Sequence, residues 1–117
     1  MKKLIRNSTD FTVSGFGFDF IVIYDSDDLS NTIEQVVRDA FTQNDCKVIG
    51  YELRDVTDIY VESDPKKWGD FDVFQVGVDF KWTEDYSESN IISNIKNNMK
   101  DIGCSVIGNP EFYSEDI

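Results

Sequence analysis

The stretch FTVSGFGFDFIVIYD at positions 11–25 is written again, altered but recognisable, sixty residues later as FDVFQVGVDFKWTED at 71–85. Phe11/Phe71, Val13/Val73, Gly17/Gly77, Asp19/Asp79, Phe20/Phe80 and Asp25/Asp85 hold the same places. Each copy alternates apolar and small or polar residues, the period of a β-strand with two unlike faces. The segments after the two copies also match. DDLSNTIEQVVRDAFTQN has apolar residues at Leu29, Ile33, Val36, Val37, Ala40 and Phe41. SESNIISNIKNNMKDIG has them at Ile91, Ile92, Ile95, Met99 and Ile102. Both spacings are helical, and Gly103 is a good helix stop. Asp27, Asp28 and Ser30 are plausible N-caps of the first helix. The two segments then close alike, on Cys46-Lys-Val-Ile-Gly50 and Cys104-Ser-Val-Ile-Gly108.

Strands are therefore expected near 11–24, 46–62, 71–83 and 104–113, with helices near 28–43 and 88–102. Two strand–helix–strand repeats, about 11–54 and 71–113, make a β-α-β-β-α-β order in a single 117-residue domain. That order implies an α+β ferredoxin-like sandwich, a four-stranded sheet with two helices on one face. The first and third strands are expected side by side in the centre, running parallel, and the second and fourth at the edges. Phe16, Phe18, Phe20, Val22 and Tyr24 should lie under the helices with Phe74, Val76, Val78, Phe80 and Trp82. The opposite face carries Gly15, Gly17, Asp19, Ile21, Gln75, Gly77, Asp79 and Lys81. Adjacent parallel copies would place Asp19 beside Asp79. Such a pair can face basic groups of a partner or hold a divalent cation. It can equally be solvated charge that keeps an open sheet face from pairing.

Charge narrows the function. Asp and Glu number 23 against 11 Lys and Arg, His is absent, and the formal net charge is -12. Phosphate repulsion argues against direct binding of nucleic acid or an anionic membrane. The lack of His excludes Ser-His-Asp and Cys-His catalysis within the chain. No P-loop, dinucleotide fingerprint or nucleophile elbow is present, so no cofactor, no resident metal and no catalytic residue is assigned. Apolar runs are too short to span a bilayer, and the basic start MKKLIRNSTDF lacks the apolar stretch of a signal peptide. A soluble cytoplasmic protein is expected.

Two further groups stand out. With parallel central strands, the strand-to-helix loops would bring Asp25, Asp27 and Asp28 together with Glu84, Asp85 and Glu88 as one acidic rim. Helix N-termini favour acids, which explains some of them structurally. YDSDD lacks the glycine and later glutamate of a calcium loop. Trp68, in a turn marked by Asp64-Pro65 and Gly69, is an interface anchor if exposed and part of the core edge if folded back. Cys46 and Cys104 should lie on opposite edges, roughly 14 Å apart, too far for a disulfide, which needs about 7 Å or less.

The leading expectation is a non-enzymatic acidic protein that inhibits a basic partner, a nuclease or other nucleic-acid-binding effector, by presenting carboxylates where phosphates would sit. In size and charge it is similar to phage-encoded DNA mimics that block restriction or CRISPR effectors, and to immunity proteins that neutralise nuclease toxins. The alternative is a small-ligand or cation-binding regulatory module that forms a homodimer through its open sheet face. A third reading is a small enzyme using Asp19 and Asp79 with a metal.

Overall fold

The computed structural model describes residues 12–82 and 86–113. The chain is α+β: β1 (Thr12–Val22), α1 (Leu29–Thr42), β2 (Lys47–Asp55), α2 (Thr57–Ser63), α3 (Pro65–Trp68), β3 (Val73–Trp82), α4 (Glu88–Asp101) and β4 (Cys104–Tyr113). The strands form one sheet in the order β2-β3-β1-β4. Every neighbouring pair is antiparallel. Among the described residues, no helix is long and apolar enough to cross a membrane.

β1 and β3 are central neighbours, as the repeated stretch suggests, but they run in opposite directions rather than in parallel. The crossover explains this. Helix α1 returns the chain so that β2 runs the same way as β1 two places away, and β3 fills the slot between them, antiparallel to each. Antiparallel pairing also separates the two aspartates. Gly17 pairs with Gly77, so Asp19 falls opposite Gln75 and Asp79 opposite Gly15. Four residues along β3 separate Gln75 from Asp79, so the carboxylates stand roughly 14 Å apart. They are not the adjacent pair expected.

The core is built by side-chain alternation. Phe16, Phe18, Phe20, Val76, Val78 and Phe80 face α1 and α4 and are buried. The helices return Leu29, Ile33, Val37, Ala40 and Phe41, and Ile91, Ile95 and Met99. Phe41 lies with its ring centroid 4.7 Å from Phe80 and 5.5 Å from Phe16. Tyr24 lies beyond the end of β1 and is exposed, not under the helices. Helix α4 ends where expected: Gly103, at φ +85°, takes the left-handed conformation that closes it.

The second strand is shorter than expected. It stops at Asp55, and the segment read as its continuation is helical instead. Asp55 accepts the backbone N–H of Thr57 at 2.9 Å, starting α2. Asp64 accepts from the backbone of Lys67, and Pro65 takes the first position of α3. These two short helices cross the other face of the sheet at one end. They bury Ile21, Val56 and Val73 beneath Tyr60, Trp68 and Phe71.

Candidate functional site

The face opposite α1 and α4 is best described by its cross-strand rows, because directly paired residues on a sheet share a face. One row runs Glu111, Gly17, Gly77, Glu52 from β4 to β2. The next, toward α2, runs Ile107, Asp19, Gln75, Arg54. On the other side lies Tyr113, Gly15, Asp79, Gly50. The middle of the sheet is therefore floored by two glycines in register, flanked by carboxylates. The result is a groove of about 750 Å³, lined by the first two rows with Tyr113, Tyr60 and Asn109; Gly15, Asp79 and Gly50 lie outside it.

The Asp19 row is fixed by hydrogen bonds. The Tyr60 hydroxyl donates to one Asp19 oxygen, and the Gln75 amide donates to the other at 3.1 Å. Arg54 donates to Gln75 at 2.7 Å and stands 3.4 Å from Glu52. Burial, then the hydrogen bond to Asp19 and its charge, push the Tyr60 phenol up to about 12. Burial and the nearby Glu111 and Asp19 likewise raise Tyr113. Tyr113 leans over the floor: a Cβ built on Gly17 would lie 3.6 Å from its hydroxyl. The same construction on Gly77 meets nothing within 4 Å. Asp79 sits instead beside the β-bulge of β2, its carboxylate 3.2 Å from where a Cβ on Gly50 would be.

The acidic rim is not one surface. Because β1 and β3 are antiparallel, their outgoing loops leave from opposite ends of the sheet. Glu88 starts α4 at one end, and Asp25, Asp27 and Asp28 lead into α1 at the other. Glu84 and Asp85 lie outside the described residues. Asp28 occupies the N-cap position, but its carboxylate accepts from the Asn31 amide at 2.8 Å rather than from the helix backbone. Asp25 accepts its neighbour Ser26 N–H at 2.8 Å.

A different set of acids gathers there. Asp25 and Asp27 share a notch of about 280 Å³ with Asp72, which the chain brings in at the start of β3. Val22 donates its N–H to the Asp72 carbonyl at 3.2 Å, tying the two segments together. Leu29, Ile33, Leu53 and Phe74 supply apolar lining. Among the described residues no group of three or more acids or cysteines is disposed to hold a metal ion.

Trp68 is half-buried in α3, not displayed in a turn. Its ring packs edge-on to Tyr60 at 5.0 Å and Phe71 at 6.3 Å. Lys67 lies 4.8 Å over it. Cys46 and Cys104 are free and buried, and burial pushes each thiol up to about 11, which suppresses the reactive thiolate.

Tyr60, Arg54, Glu111 and Tyr113 were not singled out by sequence reasoning. For Glu111 and Tyr113 the register across a bulged β4 decides the placement: two steps of β1, Gly17 to Asp19, face four steps of β4, Glu111 to Ile107. For Tyr60 the missed signal was helical, the Asp55-x-Thr57 start and the Asp64-Pro65 stop.

No protein-family model matches the chain, and no curated protein matches it. The chain is similar to a crystal structure of an unknown protein from Galdieria sulphuraria, at 10% identity and TM-score 0.49, over 96% of this chain and 54% of that one. It is similar to a formyltetrahydrofolate deformylase from Pseudomonas putida KT2440, at 13% identity and TM-score 0.48, over 87% of this chain and 29% of that one. It is also similar to part of the full extracellular region of zebrafish Gpr126/Adgrg6, at 11% identity and TM-score 0.53, over 92% of this chain and 14% of that one. The chain thus spans little more than half of one of these structures and less than a third of the others. At 11% identity the zebrafish likeness is one of fold alone.

Proposed function

We propose that this chain is a non-enzymatic acidic binding protein whose partner is a basic, nucleic-acid-handling protein, engaged through the Asp25–Asp27–Asp72 notch. The observation that carries the reading is the composition of that notch, acids at the rim over an apolar floor of Leu29, Leu53 and Phe74. Lys and Arg side chains are built in the complementary way, with an apolar stem and a charged head. A protein that grips phosphates offers many such side chains, so an acidic notch on a stable scaffold can occupy its channel. The net charge of -12 adds long-range steering toward a basic surface.

The scaffold is read as ferredoxin-like, descended from two copies of one strand–helix–strand unit. The order β2-β3-β1-β4 and the pairing of Gly17 with Gly77 support this, because they set matching positions about a common centre.

The test uses a basic nuclease. Its affinity for this chain is measured by calorimetry between 0.1 M and 1 M salt, where the screening length falls from about 10 Å to about 3 Å. Competition with duplex DNA is measured alongside. Binding should weaken with salt, exclude DNA, and fall at least tenfold when Asp25, Asp27 and Asp72 are changed to Lys. A triple variant that binds like the wild type at low salt removes the notch from the proposal.

A further inference from the structure

The segment that leaves β1 carries two exposed large apolar side chains in succession. Ile23 is 48% exposed and Tyr24 74%. Single apolar residues scattered over a surface are ordinary. These two are consecutive, and their backbone is held: both N–H groups donate to the Gly103 carbonyl, at 2.8 and 3.0 Å. The approach is close enough to need a glycine, since a Cβ on Gly103 would lie 2.9 Å from the Tyr24 carbonyl oxygen. A tyrosine presented to water on a fixed backbone suits an interface anchor.

The charges on either side of the pair say what it meets. Toward β4, Ile23 and Tyr24 wall a mainly apolar groove of about 590 Å³ with Gly103, Ser105 and Val106. Lys96 and Lys100 stand on its α4 side, four residues apart and so on one helix face. Both are exposed. Among the described residues neither has an ion-pair partner, in a chain with 23 acids. Lys100 suits the last turn of α4 electrostatically, but Lys96, a turn earlier, has no such reason. Toward β3 lies the notch with Asp25, Asp27 and Asp72. Strand β1 runs between β4 and β3, so the exposed pair at its end separates a basic side from an acidic one.

We infer that this end of the molecule is a docking surface for a second copy of the chain, related by a two-fold axis at Tyr24. A two-fold contact lays each side of a patch on the opposite side of its twin. Lys96 and Lys100 of one copy thus face Asp25 and Asp27 of the other, twice over, with the two Ile23–Tyr24 pairs packed between them. A nucleic acid or anionic surface would meet these carboxylates along with the lysines and be repelled. The sheet edges offer a second copy less, because Pro110 interrupts β4 and a bulge at 48–50 interrupts β2. The inference does not rest on the basic partner proposed above. Because the contact covers Asp25 and Asp27, a dimer and that partner would exclude one another.

The experiment uses the full chain alone, so its outcome is separate from that of the nuclease titration. Sedimentation equilibrium is run from about 10 µM to about 1 mM, a range that covers the weak affinities of small interfaces. Salt is held at about 0.15 M, where a screening length near 8 Å damps the general repulsion between two acidic copies. A reversible equilibrium that stops at the dimer is expected, with concentration-dependent amide shifts confined to 22–28 and 96–106. Tyr24→Ala should weaken it at least tenfold with the melting temperature unchanged. Lys96→Glu with Lys100→Glu should abolish it, as should Asp25→Lys with Asp27→Lys. Mixing those two charge-reversed variants should restore a one-to-one dimer, because each supplies the charges the other lacks. Both stay strongly acidic, so general attraction cannot produce that result. Tyr24→Ala, which alters only an exposed side chain, keeps the test decisive if a charge-reversed variant misfolds. A chain that stays monomeric throughout overturns the inference. So does a mixture of folded variants that fails to associate, which removes the two-fold arrangement. Shifts along 47–55 or 15–19 overturn it as well, because they place the contact at a sheet edge or on the open face.

Discussion

Strand β1 presents two faces that differ by one residue of phase and almost entirely in construction. Phe16, Phe18 and Phe20 fill one side with aromatic volume and are at most 3% exposed. Gly17 and Asp19 lie on the other, where the same backbone lies under a groove. The first face holds the molecule together through packing. The second supplies shape by the omission of side chains, and order by hydrogen bonds at Asp19. Stability should therefore be sensitive to volume on one face and to polar partners or added volume on the other, with opposite signs for adding atoms.

The largest effect is expected where the volume is greatest. Phe80 is fully buried, and its ring meets Phe41 at 4.7 Å, Tyr86 at 5.5 Å and Phe112 at 6.0 Å. It joins α1, the approach to α4 and β4 in one contact. Phe80→Ala should cost about 3–5 kcal/mol by urea denaturation, a large part of the 5–15 kcal/mol typical of a whole domain. A loss under about 1 kcal/mol would mean that the helix-covered face is not packed as described.

The alternation that defines these two faces was legible in the sequence, as were the buried rows, the adjacency of β1 and β3, the free cysteines and Gly103. Strand direction was not. A repeated stretch says that two strands have like neighbours, but it carries no sign for their relative direction. That sign came from the α1 crossover, and both the Asp19–Asp79 pair and the six-residue rim depended on it. The α2–α3 segment was misread for a local reason. Thr57, Ile59, Tyr60 and Val61 are β-branched or aromatic, the residue types common in strands, while the helix signals lay in the flanking Asp55 and Asp64-Pro65. Once that segment folds over the sheet, Tyr60 reaches Asp19 across 41 residues of chain, a contact no local pattern announces.

That contact gives the intermediate effect. Asp19→Ala leaves the part-buried Tyr60 hydroxyl and the Gln75 amide without their acceptor, so a loss of about 1–3 kcal/mol is expected. The pH dependence sharpens the assignment. Tyr60 holds its proton to about 12 in the folded chain against an ordinary value of 10. Its contribution is present below pH 10 and is lost as pH rises from 10 toward 12, because the unfolded chain gives up the proton first. In Asp19→Ala the phenol should titrate lower, though burial, the larger cause, keeps it above 10. Carbon-13 NMR of ring-labelled tyrosine reads this, because it separates Tyr60 from Tyr51 and Tyr86, whose phenols are also pushed up to about 12. An unchanged titration would show that Asp19 does not hold Tyr60.

The smallest effect carries the sharpest contrast, because the two floor glycines differ. A Cβ at Gly77 meets nothing within 4 Å, while one at Gly17 meets the Val76 carbonyl at 3.4 Å and the Tyr113 ring at 3.7 Å. Neither glycine has a positive φ, so an ordinary residue can adopt the backbone at either place. Valine suits a strand, and it reduces the freedom that the unfolded chain loses on folding. Gly77→Val should then raise stability by up to about 1 kcal/mol, with a rise of a few degrees in melting temperature. Gly17→Val must push Tyr113 aside and should give no gain or a small loss. If the floor is bare for a structural reason, such as backbone strain, both substitutions will destabilise to the same extent. If Gly77 is simply unfilled and Gly17 is held by Tyr113, the fold will tolerate valine at Gly77, and only Gly17→Val will lose stability.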